Sequence, residues 1–397
     1  MSRMRLVACV GVFVLVGVLV GGLTTAAPNE TRLMRYPDIS RDRVVFCYAS
    51  DLWTVARAGG EARRLTAHPG DELHPKFSPD GKWVAFSGEY DGSRCVYVIP
   101  AEGGEPRRLT FHPGNDVVLG WTRDGKRILF RSNRYSAPPN FTRLFTVAPE
   151  GGMPEMLSVP RASLASFSPD GARIAFNTTS QEFRTWKRYR GGWTNQIDIL
   201  DLKANAYQPL PRVNALNMFP MWHGASVYFI SDREGVMNLF RYDLESKRTA
   251  RVTNYPEYDV KWPSLGPDAI VYENGGQLYE YGLQNGQTRK IPVHAATDAI
   301  AARPEIKTVD KSIRTFELSP SGVRALFEAR GEIFTVPVEQ GSTRNLTDTP
   351  GVHELYPRWS PDGKWISYLS DKTGEYEIYL RPQKGGDEIR VTSDGDC

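Results

Sequence analysis

The residues best suited to ligand chemistry lie in one insertion, residues 180–196 of this 397-residue chain, where basic and aromatic side chains are interleaved. The side chains expected to contact a peptide are Trp186, Lys187, Tyr189 and Arg190. Guanidinium groups pair with carboxylates through two parallel hydrogen bonds, and aromatic rings stack on cations and on other flat groups. The segment therefore predicts a surface for a peptide and its carboxylate. A second interpretation is a long hairpin that packs on another domain and leaves its charges solvated.

A compact group of potential metal ligands comprises His68, Asp71, Glu72 and His74. Mixed imidazole and carboxylate sets hold zinc or manganese in proteins. However, the string Thr-Ala-His-Pro-Gly at 66–70 has a sister, Thr-Phe-His-Pro-Gly, at 110–114, which marks a repeated loop rather than a unique site. We therefore expect no metal site and no other cofactor.

The sequence contains neither of two common hydrolase motifs, G-x-S-x-G and H-E-x-x-H. A serine nucleophile also needs a base held beside it. The prominent serines and aspartates belong to Ser-Pro-Asp-Gly turns at 78–81 and 360–363, and related turns recur along the chain. Polar side chains that bond nearby backbone N–H groups stabilise such turns. The sequence thus predicts no catalytic residue in this chain.

The elements that carry these residues follow from an internal repeat. After each turn comes a short apolar run with an aromatic residue at a fixed place, and these residues recur at spacings of 40 to 55 residues. They are Phe46, Phe86, Phe130, Phe176, Phe229, Tyr272, Phe327 and Tyr368. Each repeat contains four short strands, and a period in the forties with four strands is typical of β-propeller blades. Apolar residues at neighbouring strand positions indicate that both faces of each sheet are covered.

The eight repeats divide unevenly. Six of them occupy residues 33–292, a linker at 293–312 interrupts the rhythm, and two more follow at 313–397. We predict an all-β fold with a six-bladed β-propeller followed by the first two blades of a second, incomplete β-propeller. One eight-bladed ring is the alternative. Two blades alone would leave sheet faces and edges uncovered, so we expect that the chain is a truncated piece of a longer protein.

The first residues predict export. Arg3 and Arg5 precede an apolar run at 6–23, and small residues suited to signal-peptidase cleavage follow at 24–27. We assign 1–27 as a signal peptide and expect a location in the bacterial periplasm or cell envelope. An uncleaved membrane anchor is the alternative, because the run is just long enough to span a bilayer. Cys47 and Cys95 fall in predicted strands, and the sequence leaves open whether they are buried thiols or a disulfide.

Several strings resemble tricorn-type serine peptidases. They are Tyr-Pro-Asp-Ile at 36–39, Val-Val-Phe at 44–46, Asp-Leu-Trp at 51–53, Trp-Lys-Arg-Tyr-Arg-Gly-Gly at 186–192, and the stretch 324–334 with Asn-Leu-Thr at 345–347. The Ser-Pro-Asp-Gly turns are less specific, because TolB-like propellers share them. The resemblance covers essentially the whole chain after the predicted leader.

This resemblance implies a protein with a six-bladed propeller, a seven-bladed propeller, a PDZ domain and a catalytic core with a serine nucleophile. It implies that the present chain is the noncatalytic N-terminal propeller region, which acts in peptide access or binding and in assembly. The implied partners are a peptide or unfolded protein substrate, the PDZ and catalytic domains, and a second copy of the chain. The alternative is a free-standing TolB-like periplasmic scaffold that binds another protein. The net charge of only +3 gives no reason to expect nucleic acid.

Overall fold

The computed structural model describes residues 30–136, 141–182, 187–297 and 306–393, so the predicted leader at 1–27 lies outside the described residues. The chain is all-β, as predicted, and the regular helix within these ranges is a 3-10 turn at Asp310–Ser312. No helix in the described part of the chain is long and apolar enough to span a membrane. The chain divides into two compact units, residues 1–301 and 302–397.

The described residues of the first unit form six antiparallel sheets of four strands. Sheet 1 comprises β1 (Arg35–Ile39), β2 (Arg43–Tyr48), β3 (Asp51–Ala56) and β4 (Gly60–Arg64); sheet 2 comprises β5 (Glu72–Phe77), β6 (Trp83–Gly88), β7 (Cys95–Pro100) and β8 (Arg107–Arg108). Sheet 3 comprises β9 (Asp116–Trp121), β10 (Ile128–Ser132), β11 (Arg143–Val147) and β12 (Glu155–Met156); sheet 4 comprises β13 (Ala165–Phe167), β14 (Arg173–Phe176), β15 (Asp198–Asp201) and β16 (Tyr207–Pro209). Sheet 5 comprises β17 (Asn217–His223), β18 (Ser226–Ser231), β19 (Asn238–Asp243) and β20 (Thr249–Arg251); sheet 6 comprises β21 (Lys261–Leu265), β22 (Ala269–Asn274), β23 (Gln277–Gly282) and β24 (Thr288–Ile291).

The repeated turns between first and second strands are built by their own polar side chains. In sheet 2, the Ser78 hydroxyl donates to Asp80 Oδ1 at 2.6 Å and accepts from the Trp83 N–H at 3.0 Å. The same carboxylate accepts from the Lys82 N–H at 3.1 Å. Gly81 has φ +72°, a left-handed conformation that favours glycine. The same Ser/Thr–Asp bond occurs in the turns of sheets 1, 3, 4 and 8, because the turn satisfies its own donors.

Aromatic pairs join the second and third strands. The predicted aromatic residue of the second strand lies opposite an aromatic residue of the third strand in seven of the eight sheets. Phe86 with Tyr97 and Phe130 with Phe145 are stacked with ring centroids 5.6 Å apart. In sheet 4, Phe176 lies opposite Asp198 instead. These pairs fill the space between neighbouring sheets, where large aromatic area is buried.

In several sheets, a threonine after the fourth strand forms a hydrogen bond with the third strand. Its hydroxyl oxygen accepts a hydrogen bond from a third-strand N–H 14 residues earlier, at 2.9 Å for Thr66, Thr110 and Thr253. Thr347 and Thr392 repeat the contact in the second unit at 3.1 and 2.9 Å. At Thr66, Thr110, Thr253 and Thr347 the bond satisfies a buried backbone donor that would otherwise cost free energy. The threonine that recurs after the fourth strand thus has a structural cause.

The six sheets of the first unit contact one another in a cycle. The first strands β1, β5, β9, β13, β17 and β21 contact each other in that order, and β21 contacts β1. A further strand, β25 (Val293–Ala295), pairs in parallel with β4, so the segment after sheet 6 returns to sheet 1. The Thr31 N–H donates to the Val293 carbonyl at 2.8 Å, which ties both ends of the described unit together. Buried apolar clusters lie between consecutive sheets, for example sheets 1 and 2.

The second unit contains two described sheets. Sheet 7 comprises β26 (Ile313–Leu318), β27 (Arg324–Ala329), β28 (Glu332–Pro337) and β29 (Arg344–Asn345); sheet 8 comprises β30 (Glu354–Trp359), β31 (Trp365–Ser370), β32 (Glu377–Pro382) and β33 (Ile389–Arg390). Leu326 and Ile333 of sheet 7 pack on Tyr368 and Tyr379 of sheet 8. The predicted linker at 293–312 contains β25 and the 3-10 turn, and its residues 298–305 lie outside the described residues.

The turn aspartates predict a pH dependence of stability. The Ser78, Thr122 and Ser168 hydroxyls, followed by backbone N–H groups, lower the pKa of Asp80, Asp124 and Asp170. A pKa lowered by folding means that the carboxylates stabilise the fold above the ordinary Asp pKa of about 4, and that this contribution is lost as the pH falls through the folded values. We expect the combined Asp→Asn variant at these three positions to lose less stability than the wild type between pH 6 and pH 3.

Urea unfolding midpoints at both pH values measure this effect. A variant with Glu105, Glu150 and Glu245 changed to Gln has the same change in net charge and alters exposed residues outside the strands. An equal flattening of the pH dependence in both triple variants would show that net charge, and not the turn bonds, is responsible.

Candidate functional site

The cycle of sheets encloses a cavity of about 730 Å³, which we call the axial cavity. Its lining comes mainly from residues 36–42, 74–81, 118–123, 164–167, 219–221 and 262–267, which belong to the first strand of every sheet and to several of the turns that follow. The axial cavity therefore lies toward the end of the ring where the first strands run into these turns, called here the turn end. The opposite end carries the connections between second and third strands and is called the loop end.

Four aromatic side chains from different first strands pack together in the lining of the axial cavity. Tyr36, His74, Phe219 and Trp262 belong to four different first strands, and all have positive φ angles of 49 to 57°. The strand register shifts at each of these positions, and such bulges redirect a side chain. The centroid of the Tyr36 ring lies 4.3 Å from that of His74 and 4.4 Å from that of Trp262. Non-glycine residues in this conformation cost about 1–3 kcal/mol each and are enriched at functional sites.

The histidine in this group carries no charge near neutral pH. Burial lowers the pKa of His74 well below its ordinary value, and the nearby cations Arg131, Lys76 and Arg94 lower it further. A neutral imidazole packs against Tyr36 and Trp262 without the hydration that a charged ring needs. The four rings therefore form an uncharged part of the lining of the axial cavity.

A buried polar cluster joins sheets 1, 2 and 6 beside the axial cavity. Asp38 Oδ2 accepts from the Phe77 N–H at 2.7 Å, and Ser264 donates to Asp38 Oδ1. Lys76 donates to Ser264, and its Nζ lies 3.7 Å from Asp38 Oδ1. Burial raises the pKa of Asp38 and lowers the pKa of Lys76, because each charged form loses hydration. This cluster holds three first strands at fixed spacing around the cavity.

Two arginines line the turn end of the axial cavity. Arg41 and Arg123 both belong to its lining. The Arg123 Nη2 group donates to the carbonyl oxygens of Phe167 at 2.8 Å and Trp222 at 2.7 Å. These carbonyls belong to β13 and β17, so one guanidinium connects the first strands of sheets 4 and 5. Neither arginine is among the residues predicted from the sequence. The repeat nevertheless distinguishes them, because each occupies the turn position that is proline at Pro79 and Pro169.

The predicted peptide-binding residues lie at the loop end, in the connection between β14 and β15. Trp186 lies outside the described residues. Lys187 is exposed with Nζ 3.6 Å from Asp259, and Arg190 Nη1 lies 2.8 Å from Asp232 Oδ2. Tyr189 is partly buried. The assignment of these four residues to peptide binding remains a prediction, and the structure adds that two of the cations already have carboxylate partners.

The same connection is anchored on several sheets. Glu182 is buried and pairs with the buried Arg131 of β10, and Arg188 Nη2 lies 2.9 Å from Asp259 Oδ1. The ring centroids of Trp193 and Phe141 are 6.3 Å apart. These partners belong to sheet 3 and to the segments beside sheets 5 and 6. The connection thus lies across part of the loop end.

The other sequence candidates have structural roles. The His68 Nδ1 accepts from the Gly70 N–H at 3.0 Å, and Glu72 accepts from the Tyr90 hydroxyl at 2.6 Å and from Thr66. Among the described residues, no group of three or more His, Cys, Asp or Glu side chains is placed to hold a metal ion. Cys47 and Cys95 are buried free thiols, which settles the pairing that the sequence left open.

Four-stranded antiparallel sheets arranged in a cycle about an axial cavity define the β-propeller class of proteins. Residues 31–287 match the family described as the tricorn protease N-terminal beta propeller domain. The chain belongs to this family, which confirms the resemblance found in the sequence. Residues 319–397 match a second description, the dipeptidyl peptidase IV N-terminal region.

Comparisons with individual proteins agree with this assignment. A tricorn protease homolog of Saccharolobus solfataricus is 26% identical over 373 residues, covering 91% of this chain and 34% of the relative. A putative tricorn-like protease C-terminal subunit of Sulfurisphaera tokodaii is 26% identical over 165 residues, covering 42% of this chain and 19% of that protein. The crystal structure of the tricorn protease superposes with a TM-score of 0.71 at 22% identity, covering 92% of this chain and 36% of that one. The chain thus spans about a third of the length of the first of these relatives.

The buried cluster predicts a large cost for removing one partner. We expect Asp38→Ala to destabilise the first unit by about 3–5 kcal/mol, because Lys76 then stays buried without a carboxylate. Adding Lys76→Met to Asp38→Ala should restore much of this loss, since no buried charge then remains. Chemical denaturation followed by tryptophan fluorescence measures both variants.

Asp80→Ala is the matched control, because Asp80 also lines the axial cavity but is exposed. It should cost about 1 kcal/mol. Equal losses for Asp38→Ala and the double variant would mean that the charge of Lys76 is not the source of the destabilisation.

Proposed function

We propose that this chain is the noncatalytic N-terminal propeller region of an exported tricorn-like serine peptidase, and that it binds peptides or gives them access to a catalytic part. Membership of the tricorn N-terminal propeller family supports the first half of this proposal. The axial cavity, enclosed by the first strands of six sheets, is the observation that carries the second half. The apolar run at 6–23 behind Arg3 and Arg5 supports export to the periplasm or cell envelope.

In this proposal, the six sheets of the first unit are the blades of one complete propeller. Their cyclic contacts and the return of β25 to sheet 1 support it. Sheets 7 and 8 are then the first two blades of a second propeller. Tyr356 in β30 has φ +51°, the bulge conformation that Tyr36, His74, Phe219 and Trp262 adopt in the first unit. The repeat of this conformation supports a blade with its first strand toward an axis.

The outer faces of the second unit support further blades beside it. In the first unit, the face that carries an aromatic pair such as Phe46 and Trp53 packs on the preceding sheet. The equivalent face of sheet 7 carries Phe316 and Leu318, which are 74% and 63% exposed. The far face of sheet 8 carries Ile378, which is 40% exposed. Apolar sheet faces of this kind require a covering sheet in a propeller.

The proposed partners follow from the same family. The catalytic residues of the peptidase would lie outside this chain, in a catalytic part of the same protein. Alternatively, the catalytic part would be a separate polypeptide that assembles with this chain. One relative is described as a C-terminal subunit, which supports this second arrangement. A peptide or unfolded protein substrate would be the ligand of the propeller. We expect no turnover of peptides by the present chain alone.

Peptide binding at the axial cavity has a direct steric test. Gly120 lines the cavity, and a Cβ added there meets nothing within 4 Å. Gly120→Trp should therefore fold normally and fill part of the cavity of about 730 Å³. We expect it to weaken binding of fluorescein-labelled casein-derived peptides by about 10-fold or more, because a site that loses its space loses its contacts. Fluorescence anisotropy measures the affinity.

Gly192→Trp is the matched control, since it also lies at an open glycine but in the connection at the loop end. A peptide bound in the axial cavity should be unaffected by it, so the two variants distinguish the axial cavity from the connection that was predicted to bind peptides. If Gly192→Trp loses peptide binding while Gly120→Trp keeps it, the peptide binds at Lys187, Tyr189 and Arg190 instead of the axial cavity. If the unaltered chain binds no peptide at all, the proposed function is wrong.

The exposed faces of the second unit predict dye binding. Combined Phe316→Ser and Leu318→Ser should reduce the fluorescence of a bound hydrophobic dye such as bis-ANS, because the substitutions remove the apolar face that the dye contacts. Phe111→Ser is the matched control, as Phe111 is 75% exposed in the first unit but lies outside a sheet. An equal decrease in both variants would contradict the proposed uncovered blade face.

A further inference from the structure

The lining of the axial cavity starts at an equivalent place in every sheet of the first unit. In sheets 1, 2, 5 and 6 it starts at the bulge residue of the first strand. In sheet 3 it starts at Val118, where the register also shifts, and in sheet 4 at Leu164, directly before β13. No residue earlier in any of these described strands belongs to the lining. We call the six residues the inner ring; they are Tyr36, His74, Val118, Leu164, Phe219 and Trp262. The inner ring therefore forms the end of the lining that is opposite the turn end.

The side chains of the inner ring are aromatic or aliphatic. Its four aromatic members pack together as described above, and Val118 and Leu164 complete the ring. His74, Phe219 and Trp262 are half-buried, so parts of their rings remain accessible from the cavity. The ring planes of Phe219 and Trp262 stand at 88° with centroids 5.7 Å apart, which places the face of one ring beside the edge of the other. A further flat apolar group can pack on such a pair.

The backbone at the inner ring offers few hydrogen-bond donors to a ligand. A proline, which has no N–H group, follows each of the four aromatic residues, at Pro37, Pro75, Pro220 and Pro263. The Phe219 N–H donates to Asn177 Oδ1 at 3.1 Å. The Val118 N–H donates to Ser87 Oγ at 2.8 Å. A polar group that reached these residues would lose its hydration without gaining such donors in return, which costs free energy. The inner ring thus favours an apolar group.

Charged groups of the lining lie nearer the turn end. The exposed ones all belong to turns; they are Arg41, Asp42, Asp80 and Arg123. Lys76 lies between the turns and the inner ring, where it donates to Ser264 beside Asp38. Trp121 lines the same part of the wall, and its indole N–H already donates to the Lys76 carbonyl at 3.0 Å. The lining therefore changes from charged groups at the turn end to apolar surface at the inner ring.

We infer that the inner ring is a binding site for one apolar side chain of a peptide, and that it binds aromatic side chains most tightly. The inference rests on the proposed function, in which the propeller handles peptides, and adds the chemical class of the group that enters deepest. A cavity of about 730 Å³ lies within the range of small-ligand pockets, so a side chain and the backbone beside it can enter together. Burial of apolar surface against Phe219 and Trp262 drives the binding, and an aromatic side chain adds face-to-edge contacts with both rings.

Isothermal titration calorimetry with four blocked pentapeptides tests the inference on the full chain. Each has the sequence Ala-Ala-X-Ala-Ala with an acetylated N-terminus and an amidated C-terminus, and X is Phe, Leu, Ala or Lys. We expect the Phe peptide to bind about 10-fold more tightly than the Ala peptide, because it buries more apolar surface, and the Leu peptide to lie between them. The Lys peptide should bind no more tightly than the Ala peptide. A Lys peptide that binds as tightly as the Phe peptide would overturn the inference, since the rings would then recognise a cation.

Substitutions then assign the preference to the inner ring. Phe219→Ala and Trp262→Ala should each weaken binding of the Phe peptide more than binding of the Ala peptide, so that the ratio of the two affinities falls by about 5-fold. Tyr258→Ala is the matched control, because Tyr258 is an aromatic residue shortly before β21 that is 54% exposed and does not belong to the lining. It should keep the full ratio. An unchanged ratio in both inner-ring variants would contradict the inference.

Photo-crosslinking locates the bound side chain without any substitution in the protein, so it remains decisive even where an inner-ring variant fails to fold. A fifth peptide carries the photoreactive analogue p-benzoylphenylalanine at X, and mass spectrometry after irradiation identifies the residue to which it is attached. We expect attachment to the inner ring or to a neighbour in the lining such as Met221. Attachment to residues 187–193 at the loop end would overturn the inference.

The outcomes separate this inference from the proposed function. Equal affinity of the four pentapeptides for the unaltered chain means that peptides bind without selection of a side chain, so the inference fails and the proposed function stands. The same conclusion follows if the casein-derived peptides bind and none of the pentapeptides does. If neither set of peptides binds, both the inference and the proposed function are wrong.

Discussion

The structure depends on one constraint: each four-stranded sheet is apolar on both faces and must be covered on both. In sheet 2, Val84, Phe86 and Tyr97 pack toward sheet 1, while Ala85, Val96 and Val98 pack toward sheet 3. Full burial of one such large side chain contributes about 1.5–3 kcal/mol, so a single uncovered face forfeits several times this amount. A linear stack always leaves two faces uncovered. A closed cycle of sheets leaves none, and the contact between β21 and β1 completes such a cycle in the first unit.

Closing the cycle creates the axial cavity and fixes its chemistry. The first strands face the axis with an edge, so their backbone donors need partners other than another strand. Asp38 accepts the Phe77 N–H, and the Arg123 guanidinium donates to carbonyls of β13 and β17. Polar side chains are therefore needed at the axis for the fold itself. A cavity lined in this way is a suitable place for a ligand, because its polar groups are already held in position.

The repeat, the strand order and the aromatic pairs could be predicted from the sequence, because each depends on residues close together in the chain. Phe86 and Tyr97 lie 11 positions apart, and a turn between them sets their register. The axial cavity could not be predicted in the same way. Asp38 and Ser264 are 226 residues apart and meet only because the cycle closes. The carboxylate partners of Lys187 and Arg190 also come from other sheets, so the sequence displayed the cations of that connection without the groups that neutralise them.

Positions that break the repeat carry more functional information than positions that obey it. A repeated residue, such as the serine that opens five of the turns, has an explanation in the stability of the sheets that carry it. Arg41 and Arg123 occupy a turn position that is proline elsewhere, the connection between β14 and β15 is longer than its counterparts, and β15 has Asp198 where an aromatic partner is usual. Local departures of this kind persist where another requirement outweighs the turn or the strand pair. At Arg123 the structure shows one such requirement, since its guanidinium joins the first strands of sheets 4 and 5 at the lining of the axial cavity.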